Sequence, residues 1–123
     1  RDVYEQALHL YGTRGNTVEE EAELCLGLLV AFAATIYDNG RKQQYVQNVL
    51  DRSWDVLPKL PPSLLKVRLL TYCYGEVYDD ELAKEAHGII DTWDLASLTS
   101  EQQEAIAEFR NIVDNPYPWE CVD

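Results

Sequence analysis

The fold is most constrained by an apolar run at residues 24–34, LCLGLLVAFAA, that follows a signal for the start of a helix. Thr17 stands three residues before Glu20, which is the spacing of a capping box, and the neighbouring glutamates suit the positive end of a helix dipole. The run is shorter than the roughly 20 residues that span a bilayer. The pattern predicts a helix that starts near Thr17 and ends before the DNG turn, with residues 24–36 the most buried stretch of the chain.

Helical spacing of apolar residues recurs along the rest of the chain. It is found in residues 3–11, 41–57, 64–75, 80–93 and 99–113. The prolines of PKLPP stop the third segment, and Gly75 is expected to break the fourth. Caps for the last three helices are expected at Ser63, at Asp79 or Asp80, and at Thr99 with Gln102.

No segment alternates between apolar and polar residues as a half-buried strand would. The sequence therefore predicts an all-α fold. We expect a single domain over residues 1–123, in which about six helices pack as antiparallel hairpins. The hairpins would form either a bundle or a helical-repeat-like stack.

Charge restricts the classes of partner. The chain has 10 Lys and Arg against 22 Asp and Glu, a net charge of -12, and this field repels nucleic acid and anionic membrane surfaces. Residues 61–123 have thirteen acidic and four basic residues, so most of the excess lies in this half. A basic or neutral protein partner is favoured, with no direct binding to nucleic acid or membrane.

Cysteine usage favours a cytoplasmic protein. Cys25, Cys73 and Cys121 are odd in number and far apart, so neither a disulfide framework nor a zinc site is expected. The first two lie in the most apolar segments, where a thiol is usually inert. No apolar leader stands at the start of the sequence.

The histidines give little support for catalysis. His87 and Asp91 are four residues apart and can share a helix face, whereas Glu85 points elsewhere, and the other histidine is His9. The chain has neither an H-E-x-x-H pair nor a Gly-rich phosphate loop. We expect no catalytic residue, no metal and no cofactor. A small metal-dependent hydrolase that uses the carboxylates around His87 is kept as a minor alternative.

The stretch LLTYCYGEVYDDELAKEAHGII, residues 69–90, combines tyrosine with carboxylates. Tyr72 is expected in the core, while a break at Gly75 would bring at least one neighbouring tyrosine to the surface. Exposed tyrosine beside carboxylates is typical of protein-binding surfaces, because the ring offers a large contact area with a polar tip. The predicted protein-binding residues are Tyr74, Glu76, Tyr78, Asp79 and Glu81; plain packing is the alternative.

Three phrases in the sequence are long and unusual: ATIYDNG, LPPSLLK and TYCYGEV. In these phrases, and in the sequence around them from Tyr11 to the C-terminal tail, the chain resembles the UpxZ family of capsular polysaccharide loci in gut Bacteroidales. The resemblance implies a regulator that inhibits UpxY proteins, which are NusG-like antitermination factors, from other loci. It also implies further native N-terminal sequence before Arg1. No interface residues carry over from the family.

The sequence thus leads to a non-enzymatic, cytoplasmic regulator, a single helical UpxZ-like domain that binds NusG-like UpxY antitermination proteins. The main alternative is a helical adaptor with an unrelated partner.

Overall fold

The computed structural model of the chain describes residues 2–34 and 41–114, with side chains from residue 6. The helices in these ranges are α1 (Asp2–Tyr11), α2 (Val18–Ala34), α3 (Lys42–Val56), α4 (Leu64–Val77), α5 (Asp80–Ile90) and α6 (Ser100–Phe109). A 3₁₀ turn (Leu57–Lys59) follows α3, and a π-helical turn (Arg110–Asp114) follows α6. The described residues contain no strand, so the predicted all-α class is confirmed.

The chain divides into two compact units, one ending at Leu60 and one beginning at Pro61. In the first unit α2 packs against both α1 and α3. In the second unit α5, α6 and the π-helical turn all pack against α4. The single domain expected over residues 1–123 stays a prediction. The expected DNG turn and the C-terminal residues 115–123 lie outside the described residues, as does Cys121.

Local capping signals are confirmed at four helix starts. Thr17 Oγ1 accepts from the Glu20 N–H at 3.1 Å, and Glu20 Oε1 accepts from the Thr17 N–H at 3.2 Å, which completes the capping box of α2. The second predicted box forms at the start of α6. Single side-chain caps begin α4 and α5, from Ser63 and Asp79.

In the first unit, Arg52 of α3 joins three segments. Its Nε and Nη2 donate to the two oxygens of Glu21 on α2 at 2.7 and 3.0 Å, a bidentate pair. Its guanidinium also donates to the main-chain carbonyls of Tyr11, the last residue of α1, and of Thr13 just after it, at 3.2 and 2.9 Å. The same glutamate accepts from the Gly15 N–H at 2.9 Å. Arg52 therefore fixes the α1–α2 connection against α3.

The second unit is built around α4. Seven of the nine residues from 66 to 74 are buried, against five of the eleven from 24 to 34. The prediction that residues 24–36 are the most buried stretch is therefore wrong for the part that is described. The reason is that α4 is covered by three elements, whereas Gly27, Ala33 and Ala34 of α2 are exposed.

Three polar side chains of α4 attach α5 and α6 to it, through one glutamate on each. Nζ of the buried Lys66 lies 2.6 Å from Glu85 Oε2 on α5. Arg68 Nε and Nη2 donate to the two oxygens of Glu108 on α6, each at 2.9 Å. The Tyr72 hydroxyl donates to the same glutamate at 2.9 Å. Burial, together with this hydrogen bond, raises the pKa of Tyr72 to about 12, so the hydroxyl keeps the proton that it donates.

Gly75 does not break α4, which contradicts the sequence-based prediction. The helix continues to Val77. A Cβ built on Gly75 would lie 3.3 Å from Cγ2 of Ile112 in the π-helical turn, which is tighter than ordinary van der Waals contact. Glycine at this position lets the turn after α6 approach α4 closely.

We expect Gly88→Ala to stabilise the chain by about 0.5–1 kcal/mol, because alanine has the higher helix propensity and a Cβ there meets nothing within 4 Å. Gly75→Ala should gain clearly less, or destabilise, because the added methyl presses on Ile112. The two glycines are matched, since each is the third residue from the end of its helix. Urea unfolding of both variants measures the difference; equal stabilisation would contradict the close approach.

A second prediction concerns acid sensitivity. The hydrogen bond from Arg52 is the main cause that lowers the pKa of Glu21 from its ordinary value of 4.5, against the opposing effect of burial. Because the folded-state pKa is depressed, the stabilisation is present above the ordinary pKa and is lost as the pH falls through the folded value. Glu21→Gln should therefore lower stability at neutral pH and flatten its decline below about pH 4.5.

Urea unfolding at several pH values between about 3 and 7 measures this effect. Glu23→Gln is the control, because Glu23 lies on the same helix with an exposed side chain. A decline that is equally steep in the Glu21→Gln chain and in the wild type would refute the assignment.

Candidate protein-binding site

The connection between α4 and α5 depends on the backbone of Tyr78. This residue ends α4 in the left-handed conformation, with φ 56° and ψ 34°, and its N–H donates to the Tyr74 carbonyl at 2.8 Å. It is the only residue other than glycine with positive φ in the described part of the chain. The conformation costs an L-residue roughly 1–2 kcal/mol, and glycine is the usual residue at such a helix end. The chain therefore keeps a tyrosine where glycine would be less strained.

Tyr78 is 44% exposed. One edge of its ring is supported by Tyr74, with the ring centroids 5.6 Å apart and the planes at 82°. Tyr74 itself is only 9% exposed, so it supports the exposed ring and offers little surface of its own to a partner. The prediction that at least one of the two tyrosines reaches solvent holds for Tyr78.

Three carboxylates lie close to Tyr78 in the sequence. Glu76, Asp79 and Glu81 are all exposed. Asp79 also has a structural role, because its Oδ1 accepts from the Glu81 N–H at 3.0 Å as the N-cap of α5. Such a cap contributes about 1 kcal/mol to helix stability. Of the five predicted residues, four are thus exposed at one turn, and Tyr74 lies beneath them.

Sequence reasoning missed Val77, which is 40% exposed beside Tyr78. The helical pattern of α4 gave no sign of it, because α4 is apolar on nearly every face and only its neighbours decide which residues stay uncovered. Together, Glu76, Val77, Tyr78, Asp79 and Glu81 are called the Tyr78 surface below. The arrangement combines an apolar centre with a negative rim, which suits recognition of a protein surface that is apolar and basic.

The face shared by His87 and Asp91 is confirmed. His87 Nδ1 lies 3.1 Å from Asp91 Oδ2, and both side chains are 63% exposed. Glu85 turns away, as expected, to pair with Lys66. Within residues 2–34 and 41–114, no three His, Cys, Asp or Glu side chains come together as a metal site. The geometry around His87 therefore gives no support to a metal-dependent hydrolase.

The two described cysteines are buried, each with an exposed fraction of 0%. Burial is the main cause that raises the pKa of the Cys25 thiol. A thiol in this environment is a poor nucleophile, because the thiolate is the reactive form.

The described helices include none long and apolar enough to span a membrane.

Comparison with known proteins identifies the family. A family model described as the UpxZ family of transcription anti-terminator antagonists matches residues 1–75. The chain is also similar to the crystal structure of a transcription anti-terminator antagonist UpxZ from Bacteroides uniformis ATCC 8492, with a TM-score of 0.90. The sequence identity is 49%, over 99% of this chain and 79% of that one. No curated protein matches the chain. The chain therefore belongs to the UpxZ family of transcription anti-terminator antagonists.

Proposed function

We propose that this chain inhibits transcription antitermination by binding a NusG-like antitermination protein of the UpxY type. The inhibited proteins belong to other capsular polysaccharide loci, and the encounter takes place in the cytoplasm, where RNA polymerase works. Membership of a family of anti-terminator antagonists is the observation that carries this proposal. An antagonist of antitermination must act on a component of the antitermination process, and a NusG-like antitermination protein is such a component.

The mechanism that we propose is occlusion through the Tyr78 surface. The exposed ring and Val77 bury apolar area on the antiterminator, and the carboxylates pair with basic residues that otherwise contact RNA polymerase or RNA. Strained backbone tends to occur at binding and switch sites, which supports a functional reason for tyrosine at position 78. The negative charge of the chain also disfavours direct competition for the nucleic acid itself.

The experiment that tests the function measures binding of this chain to a panel of UpxY proteins, followed by antitermination assays with the same pairs. Binding that tracks inhibition supports the proposal. Inhibition of antitermination without binding to the UpxY protein would refute the proposal. A chain that binds no member of the panel but binds an unrelated protein would also refute it, and would favour the helical adaptor.

Tyr78→Gly separates the side chain from the backbone. Glycine adopts the left-handed conformation without the strain, so the fold should be kept, although the edge contact with Tyr74 is lost. We expect binding to weaken by roughly 2 kcal/mol or more, mainly through faster dissociation, because a central aromatic anchor is removed. Tyr78→Phe, which keeps the ring, is the matched control and should bind nearly as well as the wild type.

Biosensor kinetics with an UpxY protein give the two rate constants, and urea unfolding checks the fold of each variant. If the UpxY protein dissociated from a folded Tyr78→Gly chain as slowly as from the wild type, Tyr78 would be excluded as an anchor.

The carboxylates are tested by Glu76→Gln combined with Asp79→Asn, since asparagine caps a helix about as well as aspartate. Exposed rim charges act mainly on association, so this double variant should associate more slowly at low salt and approach the wild type at high salt. Glu19→Gln with Glu23→Gln makes the same change in net charge on α2 and is the control. Equal slowing in both double variants would show that only the total charge matters.

A further inference from the structure

A groove of about 310 Å³ lies at the other end of α5 from the Tyr78 surface. Its apolar lining comes from the end of α5, the connection that follows and α6, and consists of Ile90, Trp93, Leu95, Ile106 and Phe109. Along the axis of α5, Glu81 of the Tyr78 surface and His87 of the groove lining are six residues apart, or about 9 Å. The groove is thus a distinct feature of the same unit.

Leu95 is exposed in an unusual way. The residue is 75% exposed, the largest value among the large apolar residues that the structure describes. The turn that presents it is held together by Asp94, whose carboxylate accepts from the Ser97 hydroxyl at 2.7 Å and from the Ala96 N–H at 3.0 Å. A single exposed leucine is common, but Leu95 lines the same groove as four other apolar residues, and contiguous apolar surface of this kind marks interaction sites.

The wall on the α6 side has a rare geometry. Arg110 and Asp114, at the two ends of the π-helical turn, both line the groove. π-helical turns are frequently found at functional sites. The opposite wall contains His87, whose ring centroid lies 6.1 Å from that of Phe109 at the groove floor. By exposure, the floor therefore consists of Ile90, Trp93, Ile106 and Phe109, and the rim consists of Leu95 with the polar and charged residues.

The charge of this unit indicates which partner fits. Residues 61–114 contain eleven acidic and four basic residues. Lys66, Arg68 and Lys84 each pair with a carboxylate of the same unit and lie outside the groove. Arg110 is the one Lys or Arg in the described lining, against the carboxylates of Asp91 and Asp114. A second copy of this chain would present the same negative field and be repelled. Asp91 and Asp114 at the rim favour a partner that carries Lys or Arg.

We propose that the groove binds a short amphipathic, basic segment of a partner protein. Apolar side chains of the segment fill the floor beside Leu95 and Phe109, and its Lys or Arg side chains face Asp91 and Asp114. This is the arrangement in which an amphipathic helix lies in an apolar groove. The inference does not depend on the identity of the antiterminator or on the Tyr78 surface.

The test uses the full chain, labelled with ¹⁵N, and synthetic helical peptides as probes. The first peptide carries leucine on one face and lysine on the other; a second replaces lysine by glutamate, and a third replaces leucine by glutamine. We expect saturable binding of the leucine–lysine peptide alone, with shift changes concentrated in residues 87–114. Equal binding of the glutamate peptide, or shift changes outside this region, would overturn the proposal.

Leu95→Asp distinguishes apolar docking from attraction by charge alone. The added carboxylate should strengthen a purely electrostatic contact with a basic peptide, whereas loss of the leucine should weaken docking by about tenfold or more. Leu10→Asp adds the same charge at another exposed leucine, in α1, and is the control. Unchanged or tighter peptide binding by Leu95→Asp would overturn the proposal.

Two other occupants of the groove can be distinguished from a partner segment, namely the chain's own C-terminal segment and a second copy of the chain. If Trp119→Ser raised the affinity for the peptide by about tenfold, residues of the chain's own C-terminal segment would be the occupant, and the proposal would be wrong. Self-association of the wild type that Leu95→Asp abolishes would point to a second copy and would also refute it. Tyr78→Gly should leave peptide binding unchanged, so failure here and failure of the proposed function can be told apart.

Discussion

The second unit depends on the burial of α4, a helix that is apolar on almost every face and must be covered by other elements to be stable in water. Three elements cover it, namely α5, α6 and the π-helical turn. Two polar contacts set their positions, because Lys66 reaches Glu85 on α5, and Arg68 reaches Glu108 on α6. Removing one partner from such a contact leaves an uncompensated charge in a partly buried position, so these pairs specify the packing even where their net contribution to stability is small.

The packing of α4 also determines where the chain can present a binding surface. Since the helix runs on past Gly75, its exposed end is shifted to Val77 and Tyr78. The left-handed turn at Tyr78 then directs the chain into α5, whose first residues provide carboxylates and a helix cap. Strain, exposure and charge thus coincide at one short connection, which is the reason for proposing it as the binding surface.

The excess negative charge gives both ends of α5 a similar electrostatic character. Carboxylates flank Tyr78 at one end, and Asp91 lies at the rim of the groove at the other. If both surfaces bind partners as proposed, the negative field would speed encounter with basic proteins, and the apolar residues would determine how long a complex lasts. Salt would therefore act mainly on how fast partners arrive, and apolar truncation mainly on how fast they leave.

Much of the local structure could be predicted from the sequence. The capping box at Thr17 and Glu20, and the second at Thr99 and Gln102, form as their spacing predicts, and so do the caps at Ser63 and Asp79. These signals depend on groups within a few residues of one another, so the sequence contains all that they require. The all-α class follows from the local spacing of apolar residues, and the acidic character of the second half follows from its composition.

The tertiary structure decided which of these helical residues are covered. Gly75 was expected to break α4, but it lies inside the helix, where the absence of a side chain lets Ile112, thirty-seven residues further on, pack close to it. Tyr74 is buried while Val77 and Leu95 are exposed, although their apolar side chains give no local indication of the difference. Burial is a property of the neighbours that fold against a residue, and those neighbours are distant in sequence, so helical periodicity alone could not place the binding surface or the groove.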